Sequence, residues 1–208
     1  FGFVYAINKD GSNYSVLWDS DFYTGGHPIH LLYASNDRLY ITCQAGGNTD
    51  VFAGGYGSIV SMKTDGSDVN EVFGWTNAPG AIGKYPHWGL SEGVDGELYG
   101  TAMWHGDDDI TNNTGGIVFK INKDGSGYTP LYYGDESSSN QPMHGVTIGN
   151  DGRIYTAFTL GGDFGGGTVA AMDINGENFT VLKSLDDESG KVPGAGLLTL
   201  VNEVQSYS

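Results

Sequence analysis

One phrase written four times, four short apolar runs in each copy, and no apolar spacing suited to a helix together predict an all-β chain. The specific expectation is a four-bladed β-propeller of four-stranded antiparallel blades. The phrase reads GFVYAINKDGSNYSV from Gly2, GSIVSMKTDGSDVNE from Gly57, GIVFKINKDGSGYTP from Gly116 and GTVAAMDINGENFTV from Gly167, aligned without a gap. The starting glycines recur every 51 to 59 residues, a length that suits four strands and their turns.

Within the unit that begins at Gln141, strands are expected near 144–149, 153–159, 167–173 and 178–184. Asn-Asp-Gly closes the first pair and Asn-Gly-Glu the last, because Asn and Gly accept the positive φ that tight hairpins require. The glycine-rich first strand of each unit belongs innermost, where space is least. The chain opens on a third strand, GFVYAIN, and a fourth, YSVLWD, and finishes on a first, AGLLTLV, and a second, EVQSYS. The expected blades are therefore 27–75, 85–133, 142–184, and 194–208 completed by 1–20, in a single domain over residues 1–208. Joining the terminal halves within one chain removes two open sheet edges. Joining them between neighbouring molecules, or in a larger propeller of which this chain is a piece, are the alternatives.

Composition narrows the partners. With 35 glycines, 12% aromatic and 16% charged residues among 208, the chain is too apolar for disorder. A net charge of −16 repels phosphate backbones, which excludes nucleic acid, and no run is long enough for membrane insertion as a helix. Cys43 has no intrachain partner and falls in a strand, where a buried, inert thiol is expected. No leader segment opens the chain, and a first residue of Phe suggests a processed or trimmed protein.

The stretch GELYGTAMWHGDDDITNNTGGIVFKINKDGSGYTPLY resembles the Gly- and Val-rich tandem repeat of secreted microbial proteins, the GloVer-type repeat. Leu98, Tyr99, Gly100, Thr101, Gly115, Gly116, Val118, Phe119, Asp124 and Gly125 carry the resemblance. It implies a propeller working outside the cell or on its surface, and it brings no catalytic residues.

Alternating strand direction puts the short turns on one face and the long loops on the other. The long-loop face collects all five histidines and most acidic clusters. The third position of each entry motif, PIH, PHW, PMH and PGA, gives His30, Trp88, His144 and Ala195, which a closed ring would set around one axis with the two histidines facing each other. Trp88 and Trp104 are the candidate aromatic platforms for a sugar ring, whose C–H face stacks on them, and with His30 and His144 they form the candidate ligand-binding set. Asp107, Asp108 and Asp109 are the candidates for calcium, a cofactor otherwise not called for, although they lack the Asp spacing and terminal Glu of an EF-hand loop. Asn13, Asn112 and Asn178 each open an Asn-x-Ser/Thr triplet, the acceptor for a glycan.

Catalytic residues are not expected. GLSEG at 89–93 has the pattern of a nucleophile elbow but aligns with ordinary inner strands, and GGDFGGG lacks the Lys-Ser/Thr and helix of a phosphate loop. The expected function is non-enzymatic: an extracellular interaction or structural building block, with a filament or surface layer as the candidate assembly, that associates with itself or with extracellular glycans or proteins. A carbohydrate-binding lectin and a polysaccharide lyase or hydrolase are the alternatives.

Overall fold

The computed structural model describes residues 2–21, 23–47, 55–76, 82–104, 115–135, 139–194 and 198–199. Among them there is no helix, and all strand pairing is antiparallel. A two-stranded first sheet, β1 (Phe3–Ala6) with β2 (Ser15–Asp19), is followed by a four-stranded second sheet of β3 (Gly26–Tyr33), β4 (Arg38–Ala45), β5 (Ser58–Lys63) and β6 (Asn70–Gly74). In the third sheet β7 (Lys84–Pro86) and β8 (Ser91–Glu92) share the inner edge of β9 (Leu98–Trp104), with β10 (Ile117–Ile121) and β11 (Thr129–Tyr133) outside it. The fourth sheet runs β12 (Thr147–Ile148), β13 (Arg153–Phe158), β14 (Thr168–Asp173) and β15 (Thr180–Ser184).

The outer three strands of each unit lie close to their expected positions. The inner strand runs unbroken over eight residues in the second sheet, but it is split in the third and spans only two residues in the fourth. Side chains take backbone carbonyls there: Thr101 donates from Oγ1 to the His144 carbonyl at 2.7 Å and Thr156 to the Gly145 carbonyl at 3.1 Å. With these groups satisfied, the backbone need not continue the ladder.

One turn geometry is used throughout. Asn8 donates its N–H to the Ser12 carbonyl while Gly11 donates to Asn8, each at 2.9 Å, and the same pair of bonds recurs at Lys63, Asn122 and Asp173. The residue two beyond the turn glycine has a φ of 54° at Asn13, 57° at Asp68, 69° at Gly127 and 53° at Asn178. Asn, Asp and Gly are the types that tolerate this region.

A second recurrent device opens each inner strand. His27, Tyr85, Gln141 and Val192, each preceding a proline, have φ between 52° and 56°. A positive φ costs a residue with a Cβ, most of all the branched Val192. A Cβ built on Gly2, Gly57, Gly116 or Gly167 would come within 2.8 Å of the Cδ of Pro28, Pro86, Pro142 or Pro193, respectively, which is why the repeated phrase opens on glycine. Residues 195–197 and 200–208, on which pairing of the terminal halves depends, lie outside the described residues.

The sheets stack in chain order, and three clusters fill the boundaries between them. Val4 and Trp18 of the first sheet pack on Leu39, Ile41, Val60 and Met62 of the second. Tyr40 and Ile59 of the second meet Leu98, Phe119 and Ile121 of the third. Tyr99 and Val118 of the third meet Ile154, Ala170 and Met172 of the fourth. Alternation along each strand thus sends successive side chains to the preceding and the following sheet, which is why strands such as β5 are buried on both faces.

Two contacts recur at each boundary. A turn glycine of the later sheet lies on a carbonyl of the earlier sheet's outer strand: Gly66 on Leu17, Gly125 on Val72 and Gly176 on Leu131, so near that a Cβ would sit 2.0 to 2.7 Å from the oxygen. Beside it Tyr128 stacks on Phe73 and Phe179 on Tyr132, and Val69 packs against the cluster that holds Trp18. Burying a large apolar side chain this way stabilises the fold by about 1.5–3 kcal/mol.

Candidate functional site

The inner strands converge on one cavity of about 560 Å³, lined by Leu32, Ser91, Glu92, Thr147, Ile148, Asn150, Leu198 and Thr199. Leu32, Ser91 and Thr147 hold the same register, opposite Tyr40, Tyr99 and Tyr155. Hydroxyls tie the lining together: Ser91 donates to the Val146 carbonyl at 2.5 Å and Thr147 to the Leu198 carbonyl at 2.6 Å. Ser91 is therefore a strand residue bound to backbone, as its place in an inner strand predicts, and not an exposed nucleophile.

Glu92 ties the lining of this cavity to the short-turn face. Glu92 accepts from the Ser35 N–H at 2.7 Å and pairs with the Lys123 ammonium, while Lys123 also reaches the Ser35 hydroxyl at 2.8 Å. Tyr40 donates to the Lys123 carbonyl at 3.2 Å. These bonds lock a turn of the second sheet to a turn of the third.

At the opposite end the expected ligand set divides. His30 and Trp88 are brought together, their ring centroids 5.9 Å apart. The His30 ring lies over Gly89, where a Cβ would come 1.9 Å from Nδ1. His30 Nδ1 and Trp88 Nε1 are both buried without a hydrogen-bond partner. His144 instead turns to the entry motif that follows its own unit, with Nε2 3.0 Å from the Pro193 carbonyl. Each histidine thus contacts the entry motif of the next unit. Burial without a counter-charge lowers the pKa of His30, and of His87, whose Nε2 lies 3.1 Å from Gln44.

Trp104 pairs with Lys84 where the third sheet meets the long loops and is half-buried. Trp18 and Trp75 are buried between sheets. Ala195, Asp107, Asp108, Asp109 and Asn112 lie outside the described residues. Among the described residues no three His, Cys, Asp or Glu side chains gather to hold a metal. Asn13 and Asn178 are exposed, and their left-handed backbone gives asparagine a structural use there. Asn178 also donates through Nδ2 to Asp173 at 2.6 Å. Cys43 is fully buried, and desolvation pushes its thiol pKa up to about 12.

The repeated turns, glycines and prolines extend over the length matched by one family description, the Gloeobacter/Verrucomicrobia repeat, which covers residues 1–207. The chain belongs to the Gloeobacter/Verrucomicrobia repeat family. No curated protein matches this repeat protein. Among solved structures, a chain of a nidogen/laminin complex is similar with a TM-score of 0.61 at 16% identity, the match covering 95% of the repeat protein and 60% of that chain. TolB from Acinetobacter baumannii is similar with a TM-score of 0.51 at 14% identity, over 86% of the repeat protein and 37% of TolB. The repeat protein thus has a β-propeller-like fold and spans less than two thirds of either of these two chains.

Proposed function

We propose that this protein is a non-enzymatic interaction and structural building block acting outside the cell or at its surface. Residues 194–208 and the first sheet then supply the two halves of a fourth four-stranded blade. The observation that carries the reading is an aromatic face left open on the first sheet. Tyr5 is 53% and Tyr14 54% exposed, whereas Phe119, which holds the position of Tyr5 in the third sheet, is fully buried. Exposed apolar faces of this kind are surfaces for a partner. Light scattering coupled to size-exclusion chromatography, over a wide concentration range, tests it. Masses that grow with concentration support a self-associating block, and a constant single-chain mass removes self-association from the reading.

A second reading, a lectin, draws on the half-buried rings of His30 and Trp88, whose centroids lie 5.9 Å apart and whose exposed parts suit a sugar ring. Trp88→Ala should then abolish binding on a glycan array. A blank array with the unaltered protein, with and without calcium, removes this reading.

A further inference from the structure

The cavity on which the inner strands converge has a one-sided hydrogen-bonding inventory. Ser91 gives its only O–H to the Val146 carbonyl and Thr147 gives its own to the Leu198 carbonyl, so each hydroxyl oxygen keeps only the capacity to accept. Glu92 lines the same wall. Its Oε1 accepts from Lys123 and from the Ser35 hydroxyl, whereas among the described residues Oε2 accepts from the Ser35 N–H alone, at 2.7 Å. Burial opposes ionisation, but hydrogen bonds from Lys123 and Ser35 outweigh it and hold the Glu92 carboxyl below its ordinary 4.5, so it is a carboxylate at neutral pH. Three groups on the adjoining strands β8 and β12 thus offer lone pairs and no proton.

We propose that this cavity binds a primary ammonium group carried on a short apolar body. A primary ammonium has three N–H donors and no acceptor, the complement of Ser91 Oγ, Thr147 Oγ1 and Glu92 Oε2. Leu32 and Ile148 of the lining suit the methylenes behind the charged head, and about 560 Å³ is enough to enclose a small organic molecule.

Charge and donor supply favour this class over its rivals. A carboxylate ligand would meet the ionised Glu92 and a chain of net charge −16, whereas a cation is drawn to both. A neutral sugar brings oxygens that need donors, and Ser91, Thr147 and Glu92 have none left to give. Lys123, paired to Glu92, offsets part of the attraction for a cation, so its removal should strengthen binding. The ammonium can belong to a free amine or to a lysine side chain of a partner protein, since both present the same head.

The test is a titration of the isotope-labelled protein with n-butylammonium chloride, followed by two-dimensional NMR, beside n-butanol and sodium butyrate as its neutral and anionic matches. The expected result is saturable shifts centred on the amides of Ser91, Glu92 and Thr147, with binding about tenfold or more tighter than that of either match and weakened by salt. Glu92→Gln should loosen n-butylammonium about tenfold or more, and Lys123→Met should tighten it, with circular dichroism checking that each variant keeps its sheets. Binding of Nα-acetyl-lysine methylamide as tight as that of n-butylammonium upholds the site and assigns it to a partner's lysine, and binding of n-butylammonium alone upholds it for a free amine. No saturable shift, equal affinity for n-butanol, or shifts scattered over the exposed carboxylates overturns the site, as does a folded Lys123→Met protein that binds more weakly. The comparison of the three ligands needs only the unaltered protein, so it decides the matter even where a variant fails to fold.

Discussion

The Tyr128 ring lies nearly flat on that of Phe73, centroids 4.5 Å apart and planes inclined by 17°, across the boundary between the second and third sheets. Its hydroxyl accepts from Trp75 Nε1 and donates to the Ile82 carbonyl, both at 3.1 Å. One side chain therefore supplies stacking area and a hydrogen-bond bridge at the same boundary.

Tyr128→Ala should accordingly lower unfolding free energy by about 2–4 kcal/mol, whereas Tyr14→Ala, at the same position of the open first sheet, should stay within about 0.5 kcal/mol in the monomer. Urea titration of both variants is the check. Equal losses would mean that Tyr14 is already covered in the isolated chain.

Two glycines separate backbone strain from close contact. Gly11 and Gly125 share a φ of 85°, but a Cβ on Gly125 would stand 2.0 Å from the Val72 carbonyl oxygen. Gly11→Ala should cost about 1–2 kcal/mol for the left-handed backbone alone. Gly125→Ala should cost about 1–3 kcal/mol more, because the neighbouring outer strand must move. Matching midpoints in denaturant would show that the boundary relaxes freely.

Cys43 should ignore thiol reagents in the folded protein. The thiolate is the reactive form, and burial holds the pKa near 12. A colorimetric thiol assay should register none under native conditions and one per chain in strong denaturant. Rapid native labelling would mean that the boundary between the first and second sheets opens readily.

Acid should weaken the fold in two stages. The pKa values of His30 and His87 lie below the ordinary 6.5 because burial disfavours the cation. The unfolded chain then binds protons that the folded one refuses, so the histidine contribution is intact above pH 6.5 and is lost as pH falls towards the folded values. The turn carboxylates Asp10, Asp65 and Asp124 lie below 3.8 because the hydroxyls of Ser12, Ser67 and Ser126 donate to them, and their share is lost only below that pH. Falling negative charge opposes both stages, so the difference between the parent and a His30→Gln/His87→Gln variant is the readout. Melting curves from pH 8 to 3 whose difference stays constant would overturn the histidine stage.

Strand positions and turns were legible because they depend on neighbours in sequence. The short apolar runs of β13 and β14, and Asn, Asp or Gly at the positive-φ turn positions, carry their own instructions. The shortened inner strand of the fourth sheet was not legible, since hydroxyls from Thr101 and Thr156 on other strands take the His144 and Gly145 carbonyls. The same limit applies to the site. The entry motif aligned His30, Trp88 and His144, but alignment within a repeat does not say which neighbour a ring meets, and His30 meets Trp88 while His144 meets Pro193. The boundary contacts did leave a signal. Trp18, Phe73, Tyr132 and Lys183 form one column and Tyr14, Val69, Tyr128 and Phe179 a second, and Tyr128 and Phe179 of the second stack on Phe73 and Tyr132 of the first.

Each boundary is specified by residues of two adjacent units and by no others, as in Gly125 with Val72 or Phe179 with Tyr132. Whole units can therefore be gained or lost by recombination while every surviving joint keeps its two partners. A lineage carrying this repeat can vary the number of copies without redesigning a core, and length becomes a trait that selection can adjust in steps of one unit.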